Sequence, residues 1–359
     1  MTRPDGSPAR PALVGRRPIL VTGGAGFIGC NLADRLASEG HDVLVLDILA
    51  RAGVERNLEW LKSRHPGRVS AVVADIRDET AVGDAARDAA AVFHFAAQVA
   101  VTTSLVDPRA DFEVNLTGTL HLLEALRRRS APTPLLFAST NKVYGNLPDV
   151  DLAVVDDAYV PSDPTVRAHG IGEDRPIDFH TPYGCSKGAA DQYVLDYARS
   201  FGVPTAVLRM SCIYGPRQMG TEDQGWVAHF LIRAIEGRAI SIYGDGRQVR
   251  DILHVRDAVD AYLNAWGRIE AVGGRAYNIG GGPANAVSLR QILAHIEGTL
   301  GRRVDVEFAD WRAGDQRYYV SDTRRAAADL GLGALPWRDG VADLARWLQG
   351  ERGRQVEAA

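Results

Sequence analysis

The chain has 359 residues, of which 46% are hydrophobic and 24% charged, and its formal net charge is −4. These globular proportions exclude a largely disordered, collagenous or coiled-coil protein. Because basic residues are not in surplus, we expect no nucleic-acid partner and no membrane partner. The cysteines at positions 30, 185 and 212 lack the spacing of a zinc site or a disulfide framework. We therefore expect no metal, and a reducing, cytoplasmic location.

Short apolar runs alternate with amphipathic stretches along most of the chain. The strand-like runs are 42–46, 69–74, 91–95, 134–138 and 205–210, and the clearest helical stretches are 27–39, 112–129 and 183–201. Apolar strands that alternate with helices are typical of a parallel sheet covered on both faces. The pattern predicts an α/β fold with a Rossmann-type doubly wound sheet and a smaller C-terminal α/β substrate lobe.

The pattern also predicts domain boundaries. We expect a dinucleotide-binding domain over 18–210 and a substrate-binding lobe over 211–348, with the chain partly interleaved between them. Residues 1–17 and 349–359 are expected to be flexible tails. Residues 145–182 lack clear periodicity, which favours a lid-like insertion.

A glycine-rich turn follows the first strand, in the run Thr22-Gly23-Gly24-Ala25-Gly26-Phe27-Ile28-Gly29. Glycines in this position allow a pyrophosphate to approach the backbone and the following helix N-terminus. A purely structural turn is the alternative. Asp47 ends the second strand about 20 residues on, where a carboxylate would bond the adenosine ribose, so NAD is favoured over NADP. Arg51 keeps NADP open, because an arginine can accept a 2′-phosphate.

Asp75 follows the third strand, at the edge of the sheet where the adenine would lie. Its alternative role is to cap the next helix.

Tyr183 and Lys187 are four residues apart on a predicted helix and share one face. An ammonium and a nicotinamide cation nearby would lower the pKa of the phenol. Thr140 ends the fifth strand, where its hydroxyl could bond the same substrate oxygen. The three groups form a candidate proton-transfer cluster for interconverting an alcohol and a ketone, although a Tyr-x-x-x-Lys pair is often only a surface pair.

Together with Val143-Tyr144-Gly145, these motifs resemble the extended short-chain dehydrogenase/reductase family, from about Pro18 to Leu348. The resemblance implies a nucleotide-sugar substrate, a retained NAD cofactor and a homodimer or homotetramer. The segments 139–145, 183–193 and 223–227 resemble the epimerase branch that inverts C2 of CDP-linked deoxyhexoses of the paratose and tyvelose type.

The resemblance also implies roles for individual residues. The catalytic residues are Thr140, Tyr183 and Lys187. The implied cofactor-binding residues are Gly23, Gly26, Phe27, Ile28, Gly29, Asp47, Asp75, Ile76, Phe95, Ala96, Ala97, Gln98, Tyr183 and Lys187. The implied substrate-binding residues are Asn141, Cys212, Gln224, Trp226, Arg250, Arg312 and Asp315. Trp226 could instead be a core aromatic residue, and Asn115, which matches a buried asparagine of the family, could serve only in helix packing.

Two departures from the family pattern bear on function. Cys212 stands where related 4-epimerases and dehydratases often have asparagine. Asn141-Lys142 stands where 4,6-dehydratases carry Asp-Glu, which disfavours dehydration. We therefore expect an NAD-dependent nucleotide-sugar epimerase acting at C2 of a CDP-deoxyhexose. A 4-epimerase of another nucleotide hexose and a non-catalytic NAD-sensing protein are the alternatives.

Overall fold

The computed structural model describes residues 17–312 and 314–357. Its strands are Ile19–Thr22 (β1), Val43–Asp47 (β2), Val69–Val73 (β3), Ala91–His94 (β4), Leu135–Thr140 (β5), Leu152–Val155 (β6), Ala158–Pro161 (β7), Thr205–Met210 (β8), Cys212–Tyr214 (β9), Ile240–Tyr243 (β10), Val249–His254 (β11), Arg275–Ile279 (β12), Ala286–Ser288 (β13), Val306–Ala309 (β14) and Tyr318–Tyr319 (β15).

Its helices are Phe27–Ser38 (α1), Val54–Arg64 (α2), Glu79–Ala86 (α3), Val101–Val106 (α4), Pro108–Phe112 (α5), Gly118–Arg127 (α6), Pro164–His169 (α7), Thr181–Phe201 (α8), Trp226–Glu236 (α9), Val255–Gly267 (α10), Ile269–Val272 (α11), Leu289–Leu300 (α12), Arg324–Leu330 (α13) and Trp337–Glu357 (α14). A π-helical turn, Glu113–Thr117, joins α5 to α6, and short 3₁₀ turns span Asn141–Tyr144 and Pro283–Asn285. Among the described residues, none of these helices is both long and apolar enough to cross a membrane.

The central sheet is parallel throughout, in the order β12-β8-β5-β4-β1-β2-β3. Every residue of β1, β4 and β5 is buried. Helices α1, α2 and α10 pack on one face of the sheet, and α3, α6 and α8 on the other. Strand order reverses between β1 and β4, which creates the crevice in which doubly wound sheets bind ligands. The predicted Rossmann-type fold is confirmed.

The chain beyond residue 210 contributes to two parts of the molecule. Strand β12 completes the central sheet, and α10 packs against α1. Helices α11 and α13 also pack in the core of the central sheet, through residues such as Val272 and Leu330. Most of the rest forms a smaller lobe, in which β11 pairs with β9, β13 and β15, and β10 pairs with β14. Helices α9, α12 and α14 close the core of this lobe around residues such as Phe230, Ile292 and Leu344.

The segment 145–182 is more regular than its sequence suggests. It contains an antiparallel hairpin, β6–β7, and the short helix α7. It packs against the smaller lobe: the hydroxyl of Tyr159 donates to Asp245 Oδ2 at 2.8 Å, and Ile171 forms a parallel bridge with Ser321.

The C-terminal segment differs from the predicted tail. Residues 349–357 continue helix α14, so the flexible tail expected over 349–359 is wrong there, and 358–359 lie outside the described residues. Of the tail expected over 1–17, residues 1–16 also lie outside the described part. Arg17 donates to the backbone carbonyls of Asp88 and Ala89.

A buried ion pair connects α8 to the sheet. Two parallel hydrogen bonds join Arg209 on β8 to Asp191 on α8, at 3.0 and 2.9 Å. The hydroxyl of Ser139, on β5, also donates to Asp191, and Arg209 donates to the hydroxyl of Tyr144. Because both charges are almost fully shielded from water, each requires its partner.

We expect Asp191→Ala to lower the free energy of unfolding by about 3–5 kcal/mol, since it leaves the Arg209 charge buried without its partner. Chemical denaturation measures this loss. Asp196→Ala, an exposed position on the same helix, is the matched control and should change stability by no more than about 0.5 kcal/mol. Equal stability of the two variants would contradict the structural role of the pair.

Candidate active site

The turn between β1 and α1 brings three backbone segments into close contact. Gly23 has φ +67°, and a Cβ there would lie 2.6 Å from the amide nitrogen of Ala96. A Cβ on Gly29 would lie 2.2 Å from the carbonyl oxygen of Gly23. Gly26 is the N-cap residue of α1, and it makes no side-chain hydrogen bond to the N–H groups in the first turn of that helix. This cradle fits the diphosphate of a dinucleotide.

Asp47 is held rigidly at the carboxyl end of β2. Its Oδ2 accepts from the amide of Ala25 at 3.0 Å, and its Oδ1 accepts from the amide of Leu49 at 2.9 Å. A carboxylate oxygen has more than one lone pair, so both oxygens can still accept from a ribose diol. Arg51 also lines the cavity described below.

Asp75 is not a helix cap. Asp78 caps α3, accepting from the amide of Ala81. Asp75 instead accepts from the guanidinium of Arg77, which holds the pKa of the carboxyl below its usual range. Both residues of this pair line the cavity described below.

A single cavity of about 610 Å³ runs from the glycine turn to the start of α9. The predicted site residues that line it are Gly23, Gly26, Phe27, Ile28, Gly29, Asp47, Asp75, Ile76, Phe95, Ala96, Ala97, Gln98, Thr140, Asn141, Tyr183, Lys187, Cys212, Gln224 and Trp226. None of the residues 145–182, all of which are described, lines it. The hairpin of this segment packs against the smaller lobe, and the lid-like role stays a prediction.

The end of β5 and the first turns of α8 bring together three groups able to handle protons. Thr140 and Tyr183 both line the cavity, and Lys187 Nζ lies 4.2 Å from the ring centre of Phe137. The exposed fractions of Tyr183 and Lys187 are only 9% and 3%. Their cavity-facing position makes them accessible to a bound ligand while excluding most water.

Burial determines the ionisation of this pair in the protein alone. It raises the pKa of Tyr183 to about 12, although the hydrogen bond from Thr140 opposes the rise. It lowers the pKa of Lys187 to about 7, against the opposing charges of Asp191 and Asp111. The pKa of Tyr183 is thus raised in the protein alone, whereas the sequence predicted that it is lowered. That prediction included the positive charge of a bound nicotinamide.

Behind this pair lies a polar network that the sequence did not predict as a unit. Asn115, in the π-helical turn, accepts from the amide of Gln98 at 2.8 Å and donates to Asp111 Oδ1 at 3.1 Å. Ser186, next to Lys187 in sequence, donates to Asp111 Oδ2. Asn115 is therefore a support for the site and not a helix-packing residue alone.

The opposite end of the cavity is bounded by the smaller lobe. The indole nitrogen of Trp226 donates to the sulfur of Cys212 at 3.4 Å, and Asn141 donates to Gln316 at 3.3 Å. Trp226 also packs against the core of the lobe while it lines the cavity, and its contact with a substrate stays a prediction.

Three predicted substrate residues lie beside the cavity instead of lining it. Arg250 donates to Asp315 at 2.7 Å, and its charge acts on the cavity-lining Cys212. Arg312 pairs with Glu222 and Asp223 and stacks on the ring of Tyr243 at 3.7 Å. The structure thus groups two arginines at this end, each held by an acidic partner.

Some lining residues were missed by the sequence reasoning: Arg77, Ser139, Met210, Ser211, Arg217, Gln218 and Met219. Ser139, Met210 and Ser211 could have been found, because they lie at the carboxyl ends of β5 and β8. The loop 217–219 has no periodicity that signals its position.

Comparison with known proteins agrees with this geometry. Residues 19–280 match the NAD dependent epimerase/dehydratase family. The chain is 40% identical over 344 residues to CDP-paratose 2-epimerase of Salmonella typhi, covering 92% of this chain and 98% of that protein. It is 34% identical to UDP-glucose 4-epimerase of Mycolicibacterium smegmatis, covering 90% and 94% of the two chains. The solved structure of Thermus thermophilus UDP-glucose 4-epimerase in complex with NAD superposes with a TM-score of 0.77 at 31% identity, covering 93% and 99%. The predicted family, enzymatic nature and NAD cofactor are confirmed.

We expect Gly29→Ala to weaken NAD binding at least about tenfold, or ~1.4 kcal/mol, because the new methyl group would displace the glycine turn. Calorimetric titration of the cofactor-stripped protein with NAD measures the change. Gly298→Ala is the control, since no neighbouring atom lies within 4 Å of a Cβ there. Unaltered affinity of the Gly29 variant would contradict the assignment of the turn as the diphosphate cradle.

Proposed function

The chain belongs to the NAD dependent epimerase/dehydratase family, and within it we propose a nucleotide-sugar epimerase that inverts C2 of a CDP-linked deoxyhexose. The observation that carries the epimerase proposal is that Thr140, Tyr183 and Lys187 line the same cavity as the glycine turn, between that turn and the smaller lobe. The choice of C2 and CDP is supported by the CDP-paratose 2-epimerase relative and by the segments 139–145, 183–193 and 223–227.

The residues of the cradle would hold NAD, which supplies a reversible hydride acceptor. Tyr183 would take the proton of the ring hydroxyl as the carbon is oxidised. It would return the proton after the keto sugar has rotated in the site to present its other face. Thr140 would hydrogen-bond the same oxygen and orient it. Lys187 would stabilise the phenolate through its positive charge, which counters the cost of burying an anion.

The diphosphate of the substrate would lie beside Arg250 and Arg312. In the protein alone these guanidiniums are paired with Asp315 and with Glu222. A diphosphate would compete with these carboxylates for the same donors, since an arginine binds phosphate in the same bidentate manner. Substrate binding is thereby coupled to the position of the segments that carry the acidic partners.

Dehydration is disfavoured by the residues that follow Thr140. Neither Asn141 nor Lys142 has a carboxyl group that could act as an acid or base on the sugar. Lys142 Nζ instead donates to the backbone carbonyl of Gly314 at 3.0 Å. This position serves to connect the sheet to the smaller lobe.

We also propose a cytoplasmic homodimer. Leu105, Val106, Phe112 and Tyr193 present apolar side chains to solvent on α4, α5 and α8. These helices pack against one another, so the residues can form one self-complementary surface. The cysteines are all unpaired, as expected in a reducing compartment.

Tyr183→Phe should lower turnover by roughly 10²–10⁴, because it removes only the proton-carrying hydroxyl. Steady-state kinetics with the nucleotide sugar and calorimetric titration with NAD measure the two relevant properties. NAD affinity should be retained. Tyr197→Phe, which removes a hydroxyl outside the cavity on the same helix, is the control and should keep full turnover. Near-normal turnover of the Tyr183 variant would refute the catalytic assignment.

The substrate proposal is tested by offering CDP-, UDP-, GDP- and dTDP-hexoses, with and without deoxygenation at C3 and C6, and reading the products by NMR. We expect inversion at C2 of a CDP-deoxyhexose. In D₂O the inverted carbon should retain its protium, because the hydrogen leaves and returns as hydride. Deuterium incorporated there in step with turnover would rule out the hydride route.

A 4-epimerase is the second candidate, supported by the 34% identical UDP-glucose 4-epimerase. The same panel separates the two. Inversion at C4 with C2 untouched would replace the C2 proposal, and preference for another nucleotide would replace only the CDP part.

A further inference from the structure

Asp111 is a buried carboxylate that the proposed mechanism does not use. It lies on α5 and has no exposed surface. Its oxygens accept from Gln98 Nε2 at 2.8 Å, Asn115 Nδ2 at 3.1 Å and the hydroxyl of Ser186. All three donors are neutral. Burial raises the pKa of the Asp111 carboxyl, and the hydrogen bonds from Ser186 and Gln98 and the charge of Lys187 oppose that rise. None of the three hydrogen bonds cancels the charge of the carboxylate.

Asp191, the other buried carboxylate near Lys187, is in a different situation. Its two oxygens are bonded by the guanidinium of Arg209, so its charge is largely compensated. Asp111 has no guanidinium partner among the residues that the structure describes. Ser186, which precedes Lys187 in sequence and contacts the carbonyl oxygen of Tyr183, therefore holds an uncompensated carboxylate next to the catalytic pair.

The remaining titratable group that faces Lys187 is His94 on β4. Burial lowers the pKa of His94 to about 3, with Lys187 acting in the same direction, so the imidazole is neutral at physiological pH. Its nitrogens contact the hydroxyls of Thr22 and Thr119. It supplies no charge to balance Lys187.

We propose that Asp111 is the counter-charge of Lys187, a positioning residue that acts through space to keep the lysine in its ammonium form. The inference rests on the proposed function, because it assigns the ammonium a task in turnover. Ser186 and Gln98 hold the carboxylate in place, and they connect it to the catalytic helix and to the wall of the cavity.

The balance of forces on Lys187 makes such a counter-charge necessary. Burial alone disfavours the ammonium; the charge of Asp191 opposes that effect most, and the charge of Asp111 adds to this opposition. With a pKa of about 7, Lys187 is charged in about half of the molecules at neutral pH. Removing one favourable charge would leave it mostly neutral under working conditions.

The network allows Asp111 to be replaced by asparagine without an unpaired donor. The amide oxygen of asparagine can accept from Gln98 and Asn115, and its NH₂ group can donate to Ser186. The serine hydroxyl can then donate to the carbonyl oxygen of Tyr183, 3.2 Å away. Asp111→Asn therefore removes the charge and retains the geometry. Asp111→Ser, which leaves space for a water molecule, is a second charge-removing variant.

The composition of the chain permits a direct measurement. The sequence contains three lysines, Lys62, Lys142 and Lys187. Protein labelled with ¹³C and ¹⁵N only in lysine therefore gives three sets of side-chain NMR signals, and Lys62→Arg and Lys187→Met assign them. We expect Lys187 to titrate about one pH unit lower in Asp111→Asn than in the wild type. Lys142, whose pKa burial lowers to about 8, should titrate unchanged.

Asp107→Asn is the matched control. Asp107 is a carboxylate that caps the same helix, and asparagine preserves the cap. In the Asp107→Asn variant the Lys187 signal should titrate as in the wild type. An unmoved Lys187 titration in both Asp111 variants would overturn the inference, because a purely structural role of Asp111 predicts no shift.

The pH profile of turnover provides the second measurement. In Asp111→Asn both limbs should move to lower pH, because loss of the negative charge favours the phenolate of Tyr183 and disfavours the ammonium of Lys187. A uniform fall in turnover without movement of either limb would count against the inference. Tyr183→Phe separates the two proposals: if it retains turnover the proposed function fails, whereas the NMR titration still decides the role of Asp111.

Discussion

Parallel strands all end at the same edge of a sheet, and this constraint places the groups of the site together. The glycine turn follows β1, Asp47 ends β2, Asp75 follows β3, Gln98 follows β4 and Thr140 ends β5. Each strand contributes one group from a different part of the sequence. Because every residue of β1, β4 and β5 is buried, the ends of these strands cannot move independently, and the sheet itself fixes the distance from the glycine turn to Thr140.

The sheet also determines where charge can be buried. Asp191 and Arg209 neutralise each other between α8 and β8, and this pair anchors α8, the helix that carries Tyr183 and Lys187. Lys187 lies one turn earlier on the same helix. It must remain available to a ligand, so it cannot form a direct ion pair within the protein. A carboxylate held at a distance by neutral donors resolves this conflict, since it supports the ammonium without covering it. A structural ion pair and a functional one therefore differ in geometry although they use the same chemistry.

The sequence predicted the elements whose signals are local. Apolar runs, the glycine turn and the i, i+4 spacing of Tyr183 and Lys187 each lie within one element, and their placement in the fold follows from strand order. The role of Asp111 could not be predicted, because a carboxylate in a short helix is ordinarily exposed, and only the tertiary contacts with Gln98 and Ser186 bury it. The hairpin within 145–182 was missed for the same reason: its exposed strands lack the period of a core strand, and the smaller lobe stabilises them.

The position at which the protein anchors the sugar nucleotide determines which ring carbon reacts. Thr140 and Tyr183 belong to the rigid sheet and helix α8, whereas Arg250 and Arg312 belong to the smaller lobe. The two parts are connected near the site by the bonds of Asn141 to Gln316 and of Lys142 to Gly314. A shift of about 1 Å in such an anchor changes which hydroxyl meets the phenol, and misplacement on that scale costs about 10²-fold in rate. Specificity for one ring carbon can therefore change through the loops of the lobe while the proton-transfer cluster stays constant.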